Sequence, residues 1–297
     1  MNLVARENID IKKWDACIEA SSSLPYAYSW YLDGMCLTWS ALIIEKNNEY
    51  TVCFPIPWKI KLGIKYVYPP FFIQQLGLYC INGDVDTQSF IQKVTDEFKW
   101  VEMYLSSKVD RAEVRCNMVL KLDEPYEKLL LGYSTNHKRN LKKASKVGIR
   151  IEDSDDAECA IKLFLEDKGS LFPHLKKEHY DAFHVVCKKA ASLGKFQVLN
   201  AVGTGGQVIC SALFFITKAR IVFAFSGNSV EGKDAAALFV LLDEIIKRNQ
   251  NKSVTLDFEG SENEGLQRFY KGFGASQEDY YYFKNSRLPF PLNLVKK

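Results

Sequence analysis

The chain has 297 residues, 25% of them charged and 47% hydrophobic, and 39 basic against 36 acidic side chains leave a net charge of +3. That apolar content excludes a disordered chain, and the 17 glycines and 9 prolines follow no fibre repeat. The small net charge argues against an indiscriminate nucleic-acid coat, and at roughly 100–200 residues per domain the length suits two domains, each with its own core.

Residues 9–20 alternate charged and apolar side chains at helical spacing. Arg6, Glu7, Asp10, Lys12 and Lys13 interrupt the apolar core that a signal peptide needs. Residues 37–44 and 49–55 predict a hairpin closed by Lys46-Asn47-Asn48-Glu49. An aromatic loop follows, with Tyr66, Tyr68, Pro69, Pro70, Phe71, Phe72 and Tyr79. Its Tyr68 and Phe71 are candidates for shaping an acyl or peptide pocket, and packing is the other reading of such rings. A helix over 86–98 and strands over 100–105 and 113–122 complete the first half.

The pattern changes after residue 122. Helices are predicted over 125–131 and 134–147, the latter capped by Ser134 or Thr135 and stopped by Gly148. A short strand over 149–152 precedes amphipathic helices over 157–168 and 178–193. Three strands follow over 196–202, 208–217 and 219–227, with Gly203-Thr204-Gly205-Gly206 as a hairpin turn. The chain then reads as a helix over 235–249, a strand over 253–258, a helix over 264–270 and a strand over 277–283. This order predicts an α/β protein of two related domains with mixed sheets and flanking helices, divided as 1–125 and 126–297. No run of eight βα units supports a barrel.

No two of the eight cysteines are closer than 17 residues and there is no CxxC, so the expectation is free thiols in the cytoplasm. The four histidines lack ligand spacing, and no metal site is expected. The best apolar runs, 209–216 and 235–242, fall short of the about 20 residues that a membrane span requires.

Between Asn136 and Arg150 stand Lys138, Arg139, Lys142, Lys143, Lys146 and Arg150, with no acidic residue. The 138/142 and 139/143 pairs stack at i,i+4, where like charges repel by roughly 0.2–0.5 kcal/mol each. One reading is a solvated helix balanced by Glu152, Asp153, Asp155, Asp156 and Glu158. The other is a wall for phosphates or carboxylates, with Lys138, Arg139 and Lys142 as binding residues.

Near the C-terminus, Leu256-Asp257-Phe258-Glu259-Gly260 ends a strand, and alternation sends Asp257 and Glu259 to one face. Such a pair can take a proton from an ammonium nucleophile and orient it; capping the next helix or pairing with Lys271 is the structural alternative. Tyr270 offers a hydroxyl acid, and Lys271 a partner for an anion. Phe225-Ser226-Gly227-Asn228 ends another strand, where backbone N–H groups can face an oxyanion or pyrophosphate. Neither a Walker A motif nor GxGxxG is present.

Two stretches carry a resemblance. Ser134-Thr135-Asn136-His137-Lys138-Arg139-Asn140-Leu141-Lys142-Lys143-Ala144 through Gly148, and Leu256-Asp257-Phe258-Glu259-Gly260 with Gly265-Leu266 and Phe269-Tyr270-Lys271-Gly272-Phe273-Gly274, together frame residues 130–285. This region resembles the GNAT-like fold of the FemAB-type peptidoglycan bridge-forming and leucyl/phenylalanyl-tRNA-protein transferase relatives. The first half is similar in its order of elements and its aromatic loop.

The resemblance implies tandem GNAT-like acyltransferase domains with a cleft between them, and N-acyl transfer without a covalent enzyme intermediate. An acyl or aminoacyl group passes from an activated thioester or ester, an acyl-CoA or an aminoacyl-tRNA, to an amine on a small molecule or peptide. By position, Asp257, Glu259 and Tyr270 are the catalytic candidates. Phe225, Ser226, Gly227 and Asn228 meet the donor, and Tyr68, Phe71, Lys138, Arg139, Lys142 and Lys271 bind substrate. Two departures stand out. Val230–Asp234 and the alanines after it lack the Q/R-x-x-G-x-G/A turn of acetyl-CoA-dependent members, and Tyr270 occupies the position of the FemAB-type lysine, with Lys271 one place later. The competing expectations are a catalytically inactive GNAT-like binding protein, marked by internal ion pairs on Asp257 and Glu259, and an RNA- or polyanion-binding module built on the basic helix.

Overall fold

The computed structural model describes residues 2–288 except 22, 23, 82, 84 and 261. The chain divides into two compact units. One comprises residues up to Cys116 together with those from Asp279 onward, and the other spans Asn117–Glu278. The expected single cut between 125 and 126 is therefore replaced by two. Both fall inside strands, which is why no change of composition marks them.

In the first unit, β1 (Asn2–Ala5), β2 (Trp39–Lys46), β3 (Glu49–Lys61), β4 (Ile64–Val67), β6 (Trp100–Leu105) and the part of β13 (Ser276–Ser286) from Asp279 follow one another across a sheet. The two-residue β5 (Tyr79–Cys80) pairs with β3. Helices α1 (Ile11–Ser21), α2 (Ser29–Met35) and α3 (Thr87–Glu97) complete the unit. The hairpin turn forms as expected at Asn47 and Asn48, whose φ values of 52° and 65° suit asparagine. Its second strand runs on past Pro55 to Lys61, however. The prolines at 55 and 57 fall between the residues paired with β5 and those paired with β4, so neither of those ladders needs their missing N–H. Phe90, Ile91 and Val94 of α3 pack with Leu42, Phe54 and Val101 to form the core.

In the second unit the sheet order is β7 (Glu113–Lys121, from Asn117), β12 (Thr255–Gly260), β11 (Arg220–Asn228), β10 (Val208–Ile216), β9 (Phe196–Val202) and β8 (Arg150–Ser154). All neighbours are antiparallel except β11 and β12. The helices are α4 (Tyr126–Leu131), α5 (Thr135–Ala144), α6 (Glu158–Lys168), α7 (Lys177–Ser192), α8 (Val230–Asp234), α9 (Ala237–Asn249) and α10 (Glu264–Lys271). Successive residues of β10 show how they are layered. Phe215 meets Phe183 of α7, whereas Phe214 meets Phe223, which in turn meets Tyr270 of α10. Adjacent strand residues face opposite ways, so α6 and α7 cover one face and α9 and α10 the other. The predicted helix over 235–249 begins at Ala237 instead, because Ala236 sits in the left-handed region at φ 56° and separates α9 from the short α8 before it. Among the described residues no helix is long and apolar enough to cross a membrane.

Candidate functional site

The parallel strands β11 and β12 are joined by only three register pairs, Arg220–Thr255, Ile221–Leu256 and Val222–Asp257. Both strands continue beyond that point, β11 to Asn228 and β12 to Gly260, without further pairing to each other among the described residues. Each carries an irregularity where they part. On β11 the register with β10 slips at Ala224, and on β12 the register with β7 slips between Asp257 and Gly260. A bulge bends its strand, so two bulges on neighbouring strands open a wedge between them. The wedge lies at the carboxyl ends of a parallel pair, where loops and helix N-termini open onto the sheet.

Asp257 sits at the apex of the wedge with none of its side chain exposed. Its Oδ2 accepts from Arg220 Nη1 at 2.6 Å, and its Oδ1 accepts from Asn117 Nδ2 at 3.0 Å and from the Glu259 N–H at 2.8 Å. Arg220 also donates to Glu278 at 2.7 and 3.0 Å. Burial pushes the Asp257 carboxyl up, while Arg220 and the two N–H donors pull it back. Such a carboxylate braces the strand and is not exposed to accept a proton from a bound amine. Arg220 and Asn117 were not legible as its partners, because they lie 37 and 140 residues away in sequence.

Glu259 occupies the left-handed region at φ 60°. The bulge inserts one residue between Asp257 and Gly260, so the two carboxylates do not share a face as plain alternation predicts. Glu259 is half-buried at the wedge. Tyr270 is buried with its ring stacked on Phe258, centroids 4.8 Å apart. Burial and the charge of Glu259 push the Tyr270 phenol well above its ordinary range, so it stays protonated at neutral pH.

On β11, Phe225 packs against Phe164 of α6 with centroids 4.5 Å apart. A Cβ at Gly227 would lie 2.4 Å from the Ala160 carbonyl oxygen and 2.6 Å from both Leu163 Cβ and Phe164 N. Gly227 is thus required for α6 to cross the strand closely. Ser226 and Asn228 point to the opposite face, and Asn228 Oδ1 is buried there without a hydrogen-bond partner.

Helix α5 is capped by the Ser134 hydroxyl and anchored by His137. The His137 ring is buried, with Nε2 2.9 Å from the Phe269 carbonyl oxygen and Nδ1 2.9 Å from Ser134 Oγ. A Cβ at Gly272 would overlap that ring, at 1.9 Å from Cε1. Lys138, Arg139 and Lys142 are exposed on the other side of α5, and Lys271 is exposed on α10. Tyr68 and Phe71 belong to the first unit. Tyr68 lines a cavity of about 10 Å³ with Pro57, Gln75 and Tyr104, room for a water and not for an acyl chain, and Lys59 Nζ lies 3.9 Å from its ring centroid.

No protein-family model matches the sequence, and neither does any curated protein. Solved structures do match. The crystal structure of FemX matches with a TM-score of 0.70 at 13% identity, over 100% of both chains. The fold is GNAT-like, of the FemAB type. A tandem GNAT protein from the clavulanic acid biosynthesis pathway matches this chain with a TM-score of 0.51 at 9% identity, over 97% of this chain and 99% of that one. The C-terminal domain of a lysylphosphatidylglycerol synthetase from Agrobacterium fabrum matches at 0.56 and 11% identity, over 96% and 93%. In this FemAB-type fold the wedge between β11 and β12 is the feature on which the functional reading turns.

Proposed function

We propose that the chain is an N-acyltransferase, moving an acyl or aminoacyl group from an activated thioester or ester to an amine. The observation that carries this reading is the wedge, whose register ends at Val222 and Asp257 while both strands continue. An extended donor can lie along the unpaired edge of β11 past Ser226 and Asn228, using backbone groups that no neighbouring strand occupies. An acyl-CoA and an aminoacyl-tRNA both supply such an activated carbonyl. Attack by the amine forms the new C–N bond. As the tetrahedral oxyanion collapses, the donor's thiolate or alkoxide leaves.

In this reading Glu259 orients the amine and takes its proton, and the protonated Tyr270 phenol gives one to the leaving group. Asp257 is a positioning residue that holds Glu259 through its backbone N–H. Lys138, Arg139, Lys142 and Lys271 form an anion-binding wall. The acceptor is a small amine or a peptide, and Tyr68 and Phe71 of the first unit stay substrate-binding candidates by sequence. We further read the first unit as a second GNAT-like domain, which the coverage of the tandem GNAT protein supports. Eight free cysteines suit the reducing cytoplasm. A second reading, a fold kept for binding without chemistry, draws on the internal ion pair of Asp257.

The test is to incubate the full chain with labelled acetyl-CoA, or with labelled aminoacyl-tRNA, and a panel of amines, reading new amides by mass spectrometry. Amide formation that falls in Glu259→Gln supports transfer. No amide from any donor by folded protein favours the binding reading.

A further inference from the structure

The outward face of α5 consists of Lys138, Arg139, Lys142, Lys143 and Lys146 in and just after the helix, opposite the buried His137 and Ala144. Among the described residues, none of the five forms an ion pair. Lys138 Nζ reaches only the Leu131 carbonyl oxygen at 3.5 Å, and Arg139 Nη2 only Asn136 Oδ1 at 3.0 Å. The acidic run that follows in sequence does not neutralise them. Asp153 is taken by Arg248 at 2.5 Å, Asp156 by His184 at 2.7 Å and Glu152 by Arg150 at 3.7 Å.

The charge is flanked by exposed apolar side chains. Leu131, whose carbonyl lies under the Lys138 ammonium, is 78% exposed, and Val147, just past the helix, is 36% exposed. A solvated helix needs neither. Four of the five cations are lysines, point charges without the bidentate fork of arginine, and the one aromatic ring of α5, His137, is buried, so no ring is exposed on which a base could stack. Lysine clusters on a helix beside exposed leucine or valine fit a surface that is negative outside and apolar beneath.

We propose that this face docks on an anionic phospholipid bilayer, such as the cytoplasmic leaflet. The headgroup phosphates meet Lys138, Arg139, Lys142, Lys143 and Lys146, while Leu131 and Val147 enter the headgroup layer. The proposal rests on α5 being an anion-binding face and does not depend on acyl transfer. It takes the partner to be the membrane surface itself.

Co-sedimentation of the full chain with vesicles tests it, using phosphatidylcholine alone and phosphatidylcholine mixed with phosphatidylglycerol. The protein is expected to sediment with the mixed vesicles only, and less so as salt rises. Replacing Lys138, Arg139 and Lys142 together by glutamine is expected to weaken binding on the order of a hundredfold, at about 1 kcal/mol per charge. Lys188→Gln with Lys189→Gln, on α7, is expected to change nothing. Leu131→Ser is expected to weaken vesicle binding while leaving retention on heparin intact. All these side chains are exposed, and an unchanged melting transition verifies each fold. Folded wild type that ignores mixed vesicles, or a triple variant that binds them like wild type, overturns the proposal. So does a Leu131→Ser variant that matches wild type on vesicles, and so does retention of duplex RNA without vesicle binding.

Discussion

Arg220 Nη1 and Asp257 Oδ2 lie 2.6 Å apart across the parallel strands β11 and β12, with the Asp257 side chain wholly removed from solvent. Asp257 belongs to the last register pair before the strands separate. The ion pair therefore fastens the wedge at its apex, and the carboxylate that looks catalytic in sequence is a brace. Asp257→Asn keeps the shape and removes the charge. Breaking a buried pair at one partner costs about 3–5 kcal/mol, so the urea midpoint is expected to fall accordingly. A change below about 1 kcal/mol would remove the bracing role.

Glu259 is expected to separate stability from chemistry. A non-glycine residue at φ 60° carries backbone strain, and here the Asp257 carboxylate holds it in place through the Glu259 N–H. Glu259→Gln is expected to lower turnover by about 10²-fold or more, the usual share of a general base, with an unchanged melting temperature. Glu259→Gly relieves the left-handed strain and is expected to be no less stable than wild type, though equally slow. Normal turnover in Glu259→Gln would exclude the residue from the reaction.

Gly227 reports on the packing of α6. An alanine there forces its Cβ against the Ala160 carbonyl oxygen and the Phe164 nitrogen, both backbone atoms that cannot swing aside. Overpacking of this kind costs about 1–3 kcal/mol, measurable as a lower denaturation midpoint. A midpoint equal to wild type would show that α6 does not sit where it is placed.

Much of this architecture was readable from the residues themselves. The strands Trp100–Leu105 and Phe196–Val202 coincide with their predicted spans, because hydrophobic alternation and flanking turn signals agree there. The basic helix was visible from its cap at Ser134 and its run of lysines. What could not be read was anything depending on a distant partner. Asp257 and Glu259 promise one face by alternation, and the bulge that separates them is held by Asn117 and Arg220 from other strands. Gly227 looks like an exposed N–H donor until α6 is laid across it. The helices Ser29–Met35 and Val230–Asp234 escaped because each is too short to show a period.

The buried His137 predicts a pH dependence. Burial lowers its pKa below the ordinary value of 6.5, against a smaller upward pull from the Phe269 carbonyl. In the unfolded chain the imidazole takes up a proton near pH ~6.5, while the folded protein resists it until lower pH. Its contribution is therefore complete above that value and declines as pH falls through it towards the lower folded pKa, by at most about 1.4 kcal/mol per pH unit. His137→Gln is expected to be less stable at neutral pH and to show a shallower loss between neutral and mildly acid pH. Parallel stability profiles for wild type and variant would contradict the assignment.

The central claim is that the donor lies in the wedge between β11 and β12. Ser226 is paired with Ala212 of β10 but lies beyond the last register pair with β12; it projects on the face opposite Gly227 and is only partly buried, so a larger side chain there can obstruct the wedge while the fold is kept. Calorimetric titration of wild type and Ser226→Trp with acetyl-CoA, and with a stable aminoacyl-tRNA analogue, tests this directly. The expected result is saturable binding of one donor per wild-type chain, lost in Ser226→Trp with an unchanged melting transition. Undiminished binding by the variant, or no binding of either donor by folded wild type, would contradict it.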